Sequence, residues 1–232
     1  MKVVVSWSGG KDSCLACYKA LLQGFAVQNL LTMMNSHGNS SFHMINVDLL
    51  DAQSYAIGLP LVKSFTTPET YEKDFKNALN QTRSQGAKGI VTGDIFDVAL
   101  HEKGWLERIC QETGMKPIKP LWRGDSRQIL DEFLKLGFKA IVVRTKLGLL
   151  GEEFLGRNLD KEFQYDLSKL DSVDPCGERG EYHTLVTDGP LFKKRIELLQ
   201  TRKSAKNGWS RLEILRFKLE PKDRESKSES QF

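Results

Sequence analysis

Short β-branched runs alternate with helical patterns through the first 145 residues, and this alternation restricts the possible folds more than any other feature. Val3-Val4-Val5 is a strand-like run bounded by Ser8-Gly9-Gly10, and behind it Leu15, Tyr18, Leu21 and Leu22 recur at helical spacing. The unit then repeats. Strands are expected over residues 29–34, 61–65 and 89–94, and helices over 47–57 and 68–85. Parallel strands need a crossover between them, and here each crossover is helical, so the expected fold is α/β with a doubly wound parallel sheet.

Further helices are expected over residues 101–113 and 126–136, a stiff extended segment over 116–122 around Pro117 and Pro120, and a strand over 138–144. Beyond Lys146 the text becomes rich in Gly and Pro, then alternates over 194–202 and 211–219 with Asn207-Gly208 between, as antiparallel strands do. This predicts a second, smaller α+β domain over residues 121–220 after a first domain over 1–120, with a disordered tail at 221–232. Asn35–Ser41 reads as a mobile loop.

With 40% hydrophobic and 28% charged residues in 232, the chain has material for a core, which excludes intrinsic disorder. Cys14, Cys17, Cys110 and Cys176 are too sparse for a disulfide scaffold and are expected as reduced thiols in a cytoplasmic protein. No apolar run approaches the roughly 18 residues of a membrane span, and the N-terminus turns polar too early for a secretory signal. The net charge of +4 is mild, although residues 193–232 carry twelve basic against six acidic side chains. That segment reads as a solvated strand surface rather than a polyanion-binding face. Trp7, Trp105, Trp122 and Trp209 form no stacking stripe, so a nucleic-acid partner is not expected.

The loop Ser8-Gly9-Gly10-Lys11-Asp12-Ser13 joins the first strand to the first helix, where an open parallel sheet presents its ligands. Two glycines allow close backbone approach to a phosphate, the helix N-terminus supplies N–H groups, and Ser8, Lys11 and Ser13 add donors. The spacings of the Walker A loop and of the dinucleotide fingerprint are both absent.

This hexapeptide resembles the PP-loop of the ATP pyrophosphatase superfamily. Gly93-Asp94-Ile95, residues 105–110, Pro120-Leu121-Trp122 and residues 176–184 follow in the order seen in the diphthine–ammonia ligase family. The resemblance covers nearly the whole chain except the tail and implies an N-terminal nucleotide-binding domain of the HUP type. It also implies an ATP-dependent adenylating amide ligase using Mg²⁺, ammonia and a small-molecule or protein carboxylate, and it is compatible with a homo-oligomer. In one motif the chain departs from the family. Diphthamide-making members carry Glu-Gly-Gly-Glu-Tyr-Glu-Thr, whereas this sequence reads Glu178-Arg179-Gly180-Glu181-Tyr182-His183-Thr184, a form resembling a bacterial branch linked to corrinoid salvage.

The resemblance implies roles residue by residue. Ser8, Gly9, Gly10, Lys11, Asp12, Ser13, Gly93 and Asp94 would hold ATP, with Asp12 also on the metal. The substrate carboxylate would attack the α-phosphorus, with Lys11 stabilising the departing pyrophosphate, and ammonia would then displace AMP from the acyl-adenylate. Glu178, Glu181 and His183 would be catalytic in that second step, with Gly180, Tyr182 and Thr184 binding substrate; the plainer alternative pairs Glu178 and Glu181 within a surface turn. Asp94 has a plainer alternative too, as a helix cap. Cys14 and Cys17 leave open a sulfur-transferring, tRNA-modifying PP-loop enzyme, against simple packing of one helix face on the sheet. A third reading is a nucleotide sensor without turnover. His37, His43 and His101 are expected at the surface.

Overall fold

A computed structural model describes residues 1–41, 43–97 and 102–222. Five parallel strands, β1 (Lys2–Ser6), β2 (Ala26–Met34), β3 (Leu61–Phe65), β4 (Gly89–Val91) and β5 (Lys116–Ile118), form a sheet in the order β3-β2-β1-β4-β5. The crossovers are α1 (Lys11–Leu22), α2 (Val47–Ile57), α3 (Tyr71–Ser84) and α4 (Trp105–Thr113). The expected doubly wound α/β sheet is therefore present. Its strand order reverses between β1 and β4, and the loops after these two strands open onto the crevice that such a reversal creates.

The chain continues through α5 (Ser126–Lys135), β6 (Lys139–Lys146), α6 (Lys161–Leu167), β7 (Tyr182–Asp188), β8 (Lys194–Lys206) and β9 (Trp209–Pro221). The last four strands pair antiparallel in the order β7-β6-β9-β8. Three helix starts have a local cause. Asn46, Asp125 and Asp160 cap α2, α5 and α6 by accepting from the backbone N–H of Asp48, Gln128 and Phe163.

Val3 and Val5 of β1 share an apolar cluster with α1, α2 and residues of the second sheet such as Ile141, Val142, Leu185 and Val186. Val4, Leu31 and Ile90 face the other way, onto Phe75 and Leu79 of α3 and Ile109 of α4. Helices α1 and α2 are thus held between the two sheets, which brings β7 against the N-terminus of α1.

Several expected boundaries move. The strand over 89–94 ends at Val91, and the helix over 68–85 begins at Tyr71, after a turn in which Thr67 N–H donates to Thr70 Oγ1 at 3.1 Å. The extended segment over 116–122 stays in the sheet only to Ile118. Asn35–Ser41, expected as a mobile loop, is tied by bridges Met34↔Ser40 and Asn39↔Asn46. Pro221 belongs to β9, while the rest of the expected tail from residue 223, like His101, lies outside the described residues. Strand β7 and helix α6 were hidden in text that reads as loop.

Candidate active site

The loop Ser8–Ser13 is built from inside and clamped from outside. Ser8 Oγ lies 3.1 Å from Ser13 Oγ and accepts from Gly10 N–H at 3.3 Å, while the Ser13 hydroxyl donates to the Gly10 carbonyl at 3.0 Å. Helix α1 has no cap from its own N-cap residue, Gly10. Instead Lys11 N–H donates to Thr184 Oγ1 of β7 at 3.0 Å, and Val186 N–H donates to the Gly9 carbonyl at 3.0 Å. Gly9 adopts φ +80°, and a Cβ there would stand 2.8 Å from both Gln53 Oε1 and Leu50 Cδ2, so only glycine fits.

Gln53 of α2 fastens these parts together. Fully buried, it donates to the Gly9 carbonyl at 2.9 Å and to the Val186 carbonyl at 2.7 Å, and accepts from Trp7 Nε1 at 3.0 Å. Its local sequence context is an ordinary amphipathic helix. The one available signal was an amide at a position whose neighbours in the pattern are all core residues.

Gly93 follows β4 and lies directly on α1: a Cβ there would sit 2.5 Å from Asp12 C and 2.7 Å from Ser13 N. It allows close packing of the two elements that flank the crevice. Asp94, next along, points its carboxyl into the same region, where burial raises its pKa and Asp12 adds to the effect.

Lys11 is only 3% exposed, and its ammonium donates to Asp12 Oδ2 at 2.7 Å and to the Cys176 carbonyl. Burial alone would lower its pKa, but Asp12, with Glu178 further off, overrides this and holds it well above the usual lysine value. Burial also raises Asp12 despite Lys11. Asp12 Oδ1 is buried with no hydrogen-bond partner among the described residues. Glu178 is pushed up to about 8, first by burial and then by Asp12.

Among the described residues no group of three or more His, Cys, Asp or Glu side chains is arranged to hold a metal by itself. Mg²⁺ characteristically needs only one or two carboxylates when phosphates complete its shell. The orphaned Asp12 Oδ1 at the N-terminus of α1 fits that requirement, and a cation there would relieve the crowding of Asp12, Asp94 and Glu178.

The raised pKa of Glu178 has a measurable consequence. An acid whose folded-state pKa lies above its unfolded value near 4.5 contributes stability that is complete below 4.5 and is lost as pH rises through 8. Glu178→Gln is therefore expected to melt close to wild type at pH 5. At pH 9 it should be more stable than wild type by on the order of 1–2 kcal/mol, allowing for the partial exposure of the carboxyl. Parallel melting curves at both pH values that show no difference in trend would remove Glu178 from the carboxylate cluster.

The other expected site residues divide. Glu181 is fully buried, and its two carboxylate oxygens accept from the N–H groups of Asp174 (2.8 Å) and Arg179 (2.9 Å). It holds the turn 174–181 in shape, a different place from that expected of a proton-handling carboxylate. Tyr182 is buried too, its hydroxyl donating to the Pro175 carbonyl at 2.5 Å and its ring centroid 5.5 Å from Lys11 Nζ. Thr184 is spent on the α1 amide. Gly180 takes φ +77° at the tip of the turn. Of the motif, Glu178 and His183 are the side chains left half-buried with chemistry to offer.

His183 stacks on His43 at 4.5 Å between ring centroids and on Trp209 at 5.6 Å, and the Arg144 guanidinium lies 3.8 Å from the Trp209 centroid. Burial lowers both imidazoles, His43 to about 4, with Arg144 and Lys11 adding to the effect, so both rings are neutral at physiological pH. His43 was expected at the surface and Trp209 in no stacking stripe; the stack brings them to His183 from three distant segments. His37 stays outside the stack, its N–H donating to Asn35 Oδ1. Cys14 and Cys17 are buried on the core face of α1, and burial pushes Cys17 up to about 12 and Cys14 well above its usual value, so neither is a thiolate.

Models of the diphthamide synthase N-terminal domain and the diphthamide synthase C-terminal domain match residues 1–117 and 125–219. A diphthine–ammonia ligase from Bos taurus is 31% identical over 84% of this chain and 82% of its own, and one from Homo sapiens is 30% identical over the same shares. The solved structure of a predicted subunit of a tRNA methyltransferase from Methanocaldococcus jannaschii aligns with 82% of this chain and 98% of its own, at 17% identity and a TM-score of 0.48. The two matched domain models, in chain order, together with relatives of this identity along most of both sequences, establish that the chain belongs to the diphthamide synthase (diphthine–ammonia ligase) family.

Proposed function

We infer that the chain is an ATP-dependent carbon–nitrogen ligase that joins ammonia to a carboxylate. The observation that carries the reading is the position of Lys11, whose one ammonium ties the loop at the α1 N-terminus, through Asp12, to the Glu178-bearing turn, through the Cys176 carbonyl. Bound ATP would supply the electrophile that turns a carboxylate oxygen into a leaving group, and Asp12 would hold Mg²⁺ to offset the phosphate charge. Lys11, held protonated, and the N–H groups of the loop favour the anionic pyrophosphate by position and charge. Glu178, half-buried and pushed up to about 8, is matched in its ionised form to take a proton from ammonium at mildly alkaline pH. Glu181 positions that turn through its two backbone bonds. His183, neutral and stacked, offers a hydrogen bond to the acceptor without adding charge.

The acceptor we propose is a small carboxylate rather than diphthine, and an acid side chain of a corrinoid is the candidate to assay first. Its support is His183 at the position where the diphthamide-making motif has Glu. The sulfur-transfer alternative asks for a thiolate, and the burial of Cys14 and Cys17 speaks against it. The test is release of AMP and pyrophosphate with Mg²⁺, ATP, ammonia and either diphthine-bearing protein or a corrinoid acid. His183→Ala should leave ATP affinity within a few-fold and depress amide formation by roughly 10². His183→Glu should change which carboxylate is accepted. No AMP with any carboxylate would sink the ligase reading, and amidation of diphthine by the wild type would sink the choice of acceptor.

A further inference from the structure

The second sheet carries a like-charge pair that the chemistry above does not use. Register places Arg144 of β6 opposite His183 of β7 on one side and opposite Arg211 of β9 on the other. Directly opposed side chains on paired strands share a face, so His183, Arg144 and Arg211 form a row across three neighbouring strands. Trp209, two residues before Arg211, lies on the same face, in keeping with its contacts to His183 and Arg144. Like charges directly opposite one another destabilise a sheet. Burial, reinforced by Arg211, lowers Arg144 to about 10. Among the described residues no ion pair joins Arg211 to a carboxylate, because Glu213, its near neighbour, is bound by Arg202 at 2.5 Å and by Ser204 at 2.8 Å.

Two further observations meet the row. His43 Nδ1, in the ring stacked on His183, is buried with no hydrogen-bond partner among the described residues. Beside it a cavity of about 200 Å³ opens between the segments holding Asn39 and Asn46 and β9, with His43 and Arg211 in its lining, Leu49, Val143 and Leu212 as apolar wall, and Glu213, already engaged by Arg202 and Ser204, at its margin. A guanidinium fork matches an oxyanion bidentately, and a neutral imidazole with its proton on Nδ1 adds a donor.

We propose that Arg211 and Arg144, with His43, bind an oxyanion of the acceptor, carboxylate or phosphate, other than the carboxylate that is amidated. The acceptor is then a molecule with at least two anionic groups joined by an apolar portion. A cationic acceptor is repelled by the same arginines and by Lys11. This specificity rests on the ligase reading, but the site itself can be examined without turnover.

The probes are glutarate and inorganic phosphate, titrated separately into the ATP-free full-length protein and followed by calorimetry and by Trp209 fluorescence, with Trp209→Phe identifying that signal. At least one anion is expected to bind the wild type, about tenfold or more weakly to Arg211→Gln, and with intermediate affinity to Arg211→Lys, which keeps the charge and loses the fork. Binding should persist in Lys11→Met, since the phosphate loop is not the site. Which of the two anions depends on Arg211 identifies the group. Melting curves confirm that the variants are folded. Equal binding to wild type and Arg211→Gln, loss of binding in Lys11→Met, or no binding of either anion overturns the proposal. AMP release is scored apart: Arg211-dependent anion binding without AMP release from any carboxylate condemns the ligase reading, whereas AMP release with anions indifferent to Arg211 condemns this proposal alone.

Discussion

Lys11→Met is expected to lower AMP release by about 10³, because it deletes the one buried cation at the helix N-terminus where charge develops. The same change is expected to cost roughly 3 kcal/mol at pH 8, since breaking a buried ion pair leaves Asp12 without compensation. That cost depends on pH with a fixed sign. Without Lys11, the Asp12 and Glu178 carboxyls move still further above their unfolded pKa values, so the stability of the variant is retained in acid and lost as pH rises. Lys11→Met should therefore approach wild-type melting near pH 5 and fall away by pH 8. Turnover within tenfold of wild type would remove Lys11 from the phosphate site, and a stability loss independent of pH would mean that Asp12 does not depend on it.

Gly93→Ala is expected to be nearly as damaging, although it adds one methyl group and no charge. The new Cβ would meet the Asp12 carbonyl carbon at 2.5 Å and Ser13 N at 2.7 Å, and these are backbone atoms that cannot swing aside. Either α1 shifts away from β4 or the loop changes shape. Overpacking of this kind costs about 3 kcal/mol, and a displaced loop should weaken ATP binding by roughly 10². Melting and equilibrium ATP binding are the measurements. Unchanged ATP affinity in a folded Gly93→Ala would mean that α1 can move away from β4 without disturbing its N-terminus.

What could be read in the sequence was the part whose causes are local. Val3-Val4-Val5, the glycines at 9 and 10 and the helical repeat from Leu15 announce strand, loop and helix within twenty residues, and the end of such a strand is where an open parallel sheet presents its ligands. β7 was missed because its start, Tyr182, follows directly on the Gly-rich turn. Yet Tyr182, Thr184 and Val186 alternate as buried residues of a strand do, and the Gly189-Pro190 break marks its end. Helix α6 had a cap in Asp160 and an apolar pair at Phe163 and Leu167. No local signal was available for His43 against His183 or for Arg144 against Arg211, and for Gln53 only its place among core positions of α2, since each contact depends on segments far apart in the chain meeting in space. For Glu181 the sequence left two readings, a catalytic acid and a group that pairs within the turn, and only its two backbone partners show that it fastens the turn.

The clamp on the phosphate loop also bears on how the protein is born. The Gly9 carbonyl is held by Gln53 and Val186, and the Lys11 amide by Thr184, partners 44, 177 and 173 residues downstream. An emerging N-terminal half can form its parallel strands and helices early, but contacts this remote close late, after the loop entropy between them has been overcome. On the ribosome the loop at the N-terminus of α1 therefore takes its final shape only once β7 has left the exit tunnel. Until then, on the proposed function, a nascent chain would carry the sequence of an ATP site without the contacts that shape it.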